Sequence, residues 1–209
     1  MEGRSHAYLV FVMLSNLAFA QNKEVVFEIQ NSFVQDSLMV DVKITNNTDK
    51  DIWLPIDTFT LAYDQTMPSI ATRSFFTIRQ NIFDKKENQV VGIRGEEGTD
   101  YLSDFGYMAW ADRMKNKTIN DIVLIPKGQS KILSVYFYFY HRLNSLDYFC
   151  FIDYENFENG QYDFYLSYQM NPESIEKYLS KEILDELKAK GYEPYFGKIE
   201  SNRVPLVID

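Results

Sequence analysis

Apolar residues recur at every second position along most of this chain, and that two-residue period constrains the fold more than any other feature. Leu38, Val40, Val42 and Ile44 alternate with Met39, Asp41, Lys43 and Thr45, so a strand here turns one apolar face inward. Val25, Phe27 and Ile29 make an earlier set. Asn46-Asn47-Thr48-Asp49-Lys50-Asp51 then turns the chain, because Asn and Asp bond their own backbone. The next strand starts at Ile52, and Pro55 confines it to an edge or an end. Further strands are expected at residues 58–63, 74–80, 89–93, 121–125, 131–140, 148–154, 161–169 and 203–208. About ten short strands separated by turns indicate an all-β sandwich.

Two segments depart from that period. Asn171-Pro172-Glu173-Ser174 supplies a cap, a proline at the first helical position and an early acid. Ile175, Leu179, Ile183 and Leu187 follow until Gly191, which predicts one amphipathic helix over about 172–190. The other is about 95–120, where Tyr101, Phe105, Met108 and Ala109 have helical spacing around Gly106. It reads as a long loop or a short helix. Both are expected as insertions between strands of a single domain, residues 21–209.

The first twenty residues read as an address. Arg4 precedes the apolar run Ala7 to Leu14, and Leu17-Ala18-Phe19-Ala20 ends in a small-x-small pattern before Gln21, the order of a secretory signal cut after Ala20. Cleavage would leave 209 − 20 = 189 residues. It would remove one acid and one base, keeping the charge at −9, and leave His141 as the lone histidine. No later run is long enough to span a membrane, so an exported periplasmic or extracellular protein is expected. Cys150 is the chain's one cysteine, which precludes an internal disulfide. Its neighbours Tyr148, Phe149, Phe151 and Ile152 suggest a buried, inert thiol.

Three stretches resemble the immunoglobulin-like sandwiches of small exported bacterial proteins. Val40 to Ile52 is similar to an early strand, Asn-rich turn and next strand. Ile125-Pro126-Lys127-Gly128-Gln129-Ser130 is similar to the Pro-x-Gly turn before a middle strand, and Gly160 to Tyr168 to the penultimate strand. Gly197 to Val204 resembles the lead into the last one. The resemblance implies an immunoglobulin-like antiparallel β-sandwich and carries no catalytic residue.

The chemistry is narrowed by what is scarce. One histidine and one cysteine after residue 20 cannot build the usual zinc sites, so no metal or cofactor is expected. A Cys150–His141 dyad is arithmetically possible but needs a cleft. Ser174-Ile175-Glu176-Lys177 matches Ser-x-x-Lys, yet Ser174 reads better as a helix cap. Glu96, Glu97, Asp100 and Asp104 form one carboxylate group, and Asp153, Glu155 and Glu158 another, ahead of Asn159-Gly160, a type I′ hairpin signal. Either group suits an acidic loop, a glycosidase pair or weakly a calcium site. A charge of −9 without a basic run makes nucleic acid an unsuitable partner.

Aromatic placement is the remaining lead. In Val135 to Tyr140, alternation sets Val135, Phe137 and Phe139 on one face and Tyr136, Tyr138 and Tyr140 on the other. That tyrosine ladder either binds a partner or receives the helix stripe. Tyr101, Phe105, Tyr107 and Trp110 form a second candidate surface on the insertion. The resulting expectation is a non-catalytic exported module that binds a protein or glycan, with nothing calling for more than a monomer. The alternatives are a carboxylate-dependent extracellular glycan hydrolase and a structural subunit joining through an exposed strand edge. Asn46-Asn47-Thr48 and Asn116-Lys117-Thr118 would be glycosylation acceptors in a eukaryote.

Overall fold

The computed structural model describes residues 24–56, 62–63, 75–91, 94–97, 116–137, 140–142, 148–151 and 157–208. The first strands are β1 (Val25–Ile29), β2 (Val34–Gln35), β3 (Leu38–Asn46), β4 (Ile52–Leu54), β5 (Ala62–Tyr63), β6 (Arg79–Asp84), β7 (Gln89–Val90) and β8 (Arg94–Glu97). After a 3₁₀ turn at Ile119–Asp121 come β9 (Val123–Ile125), β10 (Ser130–Phe137), β11 (Tyr140–Arg142), β12 (Tyr148–Phe151) and β13 (Tyr162–Tyr168). A 3₁₀ turn at Pro172–Ser174 leads into α1 (Ile175–Tyr178) and α2 (Lys181–Ala189), followed by β14 (Glu193–Pro194), β15 (Ile199–Glu200) and β16 (Val204–Val207).

The chain is all-β, with several sheets that are mainly antiparallel. Their orders are β1-β3-β10, β14-β4-β9, β11-β12-β8 and β2-β16-β13-β6-β5, with β15 added to β13 and β7 to β6. Three short ladders, β14–β4, β16–β2 and β5–β6, are parallel, a departure from the antiparallel expectation. The two-residue period holds where it was cleanest: Val40, Val42 and Ile44 of β3 are buried, as are Val25, Phe27 and Ile29 of β1. Phe137 of β10 meets Phe164 of β13 with ring centroids 4.8 Å apart, joining two sheets through the core. Each fully buried side chain of this size contributes about 1.5–3 kcal/mol against chain entropy.

Several expected elements are redrawn. The strand over 131–140 is two strands: β10 ends at Phe137, and β11 pairs with β12 in another sheet. The strand expected from 74 begins only at Arg79, since Phe75 and Phe76 occupy a turn where their rings pack edge to face at 4.8 Å. Arg94–Glu97, inside the expected insertion, is a strand against β12. The expected helix is broken at Leu179, which is extended, and Ser180 recaps the chain by accepting from Ile183 N. A stripe repeating every fourth residue drifts about 40° per repeat around a straight helix. The break lets Leu179, Ile183 and Leu187 all reach the core. Ser174 makes no capping hydrogen bond; Asn171 caps the preceding turn instead. Gly191, at φ 79°, ends α2 with Tyr192 N donating to Leu187 O and Gly191 N to Lys188 O.

One buried amide joins two of the sheets. The segments around β3–β4 and β9–β10 pair twice, first as β3–β10 and then as β4–β9. Between the two ladders sits Asn46, 0% exposed. Its Nδ2 donates to Lys50 O at 2.8 Å and Ile125 O at 2.9 Å, while its Oδ1 accepts from Thr48 N at 3.0 Å and Thr48 Oγ1 at 2.6 Å. That is the full capacity of the amide. Its backbone closes the Pro126–Gln129 turn, accepting from Gly128 N and donating to Gln129 O. Asn46 is therefore unsuited to glycosylation. Gln80 is the contrast: both amide atoms are buried with no partner among the described residues.

Two stability measurements follow from these amides. Asn46→Ala orphans Ile125 O in the interior and should cost about 3 kcal/mol in urea unfolding, while Asp49→Ala on the same loop should stay within about 0.5 kcal/mol. Gln80→Met, which keeps the length and removes the unpaired polar atoms, should raise the unfolding midpoint by about 1 kcal/mol of stability.

Candidate interaction face

The outer face of the sheet built on β6 and β13 is the best-defined candidate surface among the described residues. Along β13, Tyr162, Phe164, Leu166 and Tyr168 point inward and are buried, which leaves Asp163, Tyr165 and Ser167 half-buried outside. The β6 register sets Asp163 opposite Phe83, Tyr165 opposite Asn81 and Ser167 opposite Arg79. Asn81 Nδ2 donates to Ser167 Oγ at 3.0 Å and fixes the middle of the face. Val90 of β7, opposite Phe83, is 46% exposed.

Arg203 completes this surface from a coil. Its guanidinium carbon lies 3.7 Å from the Phe83 ring centroid and 5.4 Å from that of Tyr165, and the residue is exposed. The coil is held from both sides. Ser201 N donates to Leu166 O and Ser201 Oγ accepts from Leu166 N at 2.9 Å. Asn202 Oδ1 accepts from Ile29 N at 2.7 Å and its Nδ2 donates to Ile29 O at 3.3 Å. An exposed cation over a ring contributes about 0.5–1 kcal/mol, so the stack orders the guanidinium while leaving its donors open. Among the described residues no carboxylate pairs with Arg203.

Two further cations flank it with acidic partners. Lys85 Nζ is 3.3 Å from Asp163 Oδ1, and Lys198 Nζ is 2.6 Å from Glu200 Oε1. The hydrogen bond and charge of Glu200 raise the Lys198 ammonium above its ordinary range. The turn that carries Lys85 is set by Asp84, whose Oδ1 accepts from Lys86 N at 2.8 Å and Glu87 N at 3.0 Å, and whose Oδ2 accepts from Gln161 Nε2 at 2.8 Å. Burial pushes the Asp84 carboxyl up, but these hydrogen bonds outweigh it and hold the group below its ordinary range.

The sequence-derived candidates are distributed differently. Tyr101, Phe105, Tyr107, Trp110 and Tyr138 lie outside the described residues, as do Asp100, Asp104, Asp153 and Glu155. Tyr136 falls on β10 and Tyr140 on β11, in different sheets, so they do not share one strand's ladder. The stripe of α2 packs beside the Ile119–Asp121 turn. Glu96 and Glu97 are adjacent positions of β8, in register with Phe149 and Tyr148 of β12. His141 and Cys150 are direct cross-strand partners. Among the described residues Asn159-Gly160 closes no hairpin: β12 and β13 belong to different sheets, and Gly160 alone of the two has positive φ, 82°. Asn159 instead ties down the last strand, exchanging hydrogen bonds with Ile208 N at 2.7 Å and Ile208 O at 2.6 Å.

Among the described residues no three His, Cys, Asp or Glu gather to hold a metal ion, and no helix is long and apolar enough to cross a membrane. No protein-family model, curated protein or solved structure matches the chain.

Tyr165 was not singled out, although alternation along the expected strand 161–169 could have marked it as an outward ring. Arg203 and Phe83 were missed because their meeting depends on how the 201–203 coil is pinned.

The Asp84 clamp predicts a pH dependence. Its folded carboxyl is held below the unfolded value, as is that of Asp121, through hydrogen bonds from Thr118. Both contribute stability above the unfolded carboxylate range, and that contribution is lost as pH falls through the depressed folded values. Urea midpoints should therefore drop steeply below about pH 4, and less steeply in Asp84→Asn.

Proposed function

We propose that this protein is a non-catalytic, exported interaction module built on an immunoglobulin-like sandwich, and that the Phe83–Tyr165–Arg203 face contacts its protein or glycan partner. The carrying observation is an exposed arginine, stacked on one half-buried ring beside a second, on a sheet whose inner face is core. Tyr and Arg dominate binding hot spots because one flat or forked group supplies both apolar contact and directed hydrogen bonds. The strand-rich fold and the helical segment inserted between β13 and β14 support the sandwich reading. Residues 1–20 support export.

In a screen of the mature protein against surface proteins and glycans, Tyr165→Ser and Arg203→Ser should each weaken the retained partner at least about tenfold, with unchanged thermal melting. Retention indifferent to both variants removes the face from the reading.

The His141–Cys150 register supplies a second test. A non-catalytic module should show slow native alkylation at Cys150 that His141→Gln leaves unchanged. Rapid native alkylation near pH 6 that disappears in His141→Gln would instead make the pair a nucleophile.

A further inference from the structure

We infer that the outer edge of β10 is the interface of a twofold dimer, in which β10 of one copy pairs antiparallel with β10 of a second and the sheet β1-β3-β10 runs on through the other copy. The inference goes beyond the interaction-module reading and does not rest on it, since the Phe83–Tyr165–Arg203 face belongs to another sheet.

The hydrogen bonds of β3 show which groups β10 leaves open. Asn46 N donates to Gln129 O on one side of β3, and Gln30 N donates to Asp41 O on the other. A strand between two antiparallel neighbours turns its main chain to each in alternation. Val40, Val42 and Ile44 therefore serve β10, while Asp41, Lys43 and Thr45 serve β1. In the same register Lys131, Leu133, Val135 and Phe137 bond to β3, and Ser130, Ile132, Ser134 and Tyr136 turn N–H and C=O the other way. Among the described residues no strand pairs with that side. Ser130, Ile132 and Ser134 are exposed, Ile132 at 60%.

The other edges are short or blocked. β10 has eight residues, whereas the remaining edge strands among the described residues have two to five. On β1, at the opposite edge of the same sheet, Asn202 takes both main-chain groups of Ile29. β10 has no proline, and its one charge, Lys131, stands near its start. An edge of this length without such protection is a template for a further strand, and a second copy brings the same open groups in antiparallel order. With Ser134 on the twofold axis, Ser134 stands opposite Ser134, Ile132 opposite Tyr136, and Leu133 opposite Val135. The inner apolar row then continues across the join, and a β-branched residue meets an aromatic one twice. Centring on Leu133 would set Ile132 against Ser134 and forfeit that pair. The two Lys131 residues are offset by six positions, about 20 Å, which is more than two screening lengths.

Sedimentation equilibrium of the mature protein from about 10 to 500 µM should show a reversible dimer, and hydrogen exchange at the Ile132, Ser134 and Tyr136 amides should slow as concentration rises. Ser134→Pro removes both hydrogen bonds at the axis through an N–H that β3 does not use, so it should weaken the dimer at least about tenfold. Opposed Cα atoms of such a bonded pair are about 5.5 Å apart, within disulfide reach, so Ser134→Cys should give a linked dimer on mild oxidation. Ile132→Cys should link no more than the parent, whose one thiol is Cys150. That contrast carries the test if Ser134→Pro melts early. A monomer at every concentration overturns the inference: amides that stay fast then leave the edge to a strand of another protein, and amides protected throughout mean that this chain covers its own edge. A dimer indifferent to a Ser134→Pro change that melts like the parent, or Ser134→Cys linking no better than Ile132→Cys, overturns it equally.

Discussion

Asn46 is the interaction on which the rest of the structure depends. Two chain segments pair twice, in two different sheets, and the step between the ladders takes place in the interior. Leaving a ladder there strands backbone groups where water cannot reach them, at a cost of about 1–3 kcal/mol each. The Asn46 side chain meets that demand by taking Ile125 O and Lys50 O as acceptors and Thr48 as donor, so the chain can change sheets inside a dry core. Aspartate would keep the acceptor and lose both donors; leucine would lose everything. The residue type is dictated by hydrogen-bond inventory, since side-chain volume alone would admit several others.

The same device recurs in weaker form. Asn31 accepts from Asp41 N and donates to Met39 O, Asn159 exchanges two bonds with Ile208, and Asn202 exchanges two with Ile29. Each amide presents one donor and one acceptor to a strand, which is what a neighbouring strand would present. With a single cysteine the chain has no internal disulfide, and these local pairings take up part of the positioning that a cross-link would supply. The Asn202 link bears on the proposed face: by fixing the coil to β1, it holds the next residue, Arg203, across Phe83.

Legibility in the sequence tracked the range of the interaction involved. Inward faces were readable for β1, β3 and β13 because a two-residue period is a local property of a strand. Partner choice is not local. The run from Ser130 to Arg142 keeps its alternation while passing from β3 to β12 as neighbour, and no periodicity marks the change. Helix interruption at Leu179 was hidden for a related reason: a four-residue repeat looks helical, while its drift matters only against a fixed core. Asn159-Gly160 misled because the Asn side chain is committed to the C-terminal strand. On the face itself, Tyr165 could have been found from alternation but was not singled out, whereas Arg203 required two long-range anchors to be known.

Net charge and local charge act on a partner at different distances. At physiological salt the field of an exposed charge fades over about 8 Å, so an approaching anion first senses the acidic average of the chain and only near contact the cations around Tyr165. Long-range steering of an anion is therefore poor, and on the proposed reading recognition resides in the contact itself, where Arg203 is already oriented by its stack on Phe83. Added salt weakens the long-range repulsion together with the short-range attraction. For an anionic partner on the proposed face, affinity should accordingly fall less steeply with salt than the number of cations engaged implies, which distinguishes a pre-organised face on an acidic protein from a generally basic surface.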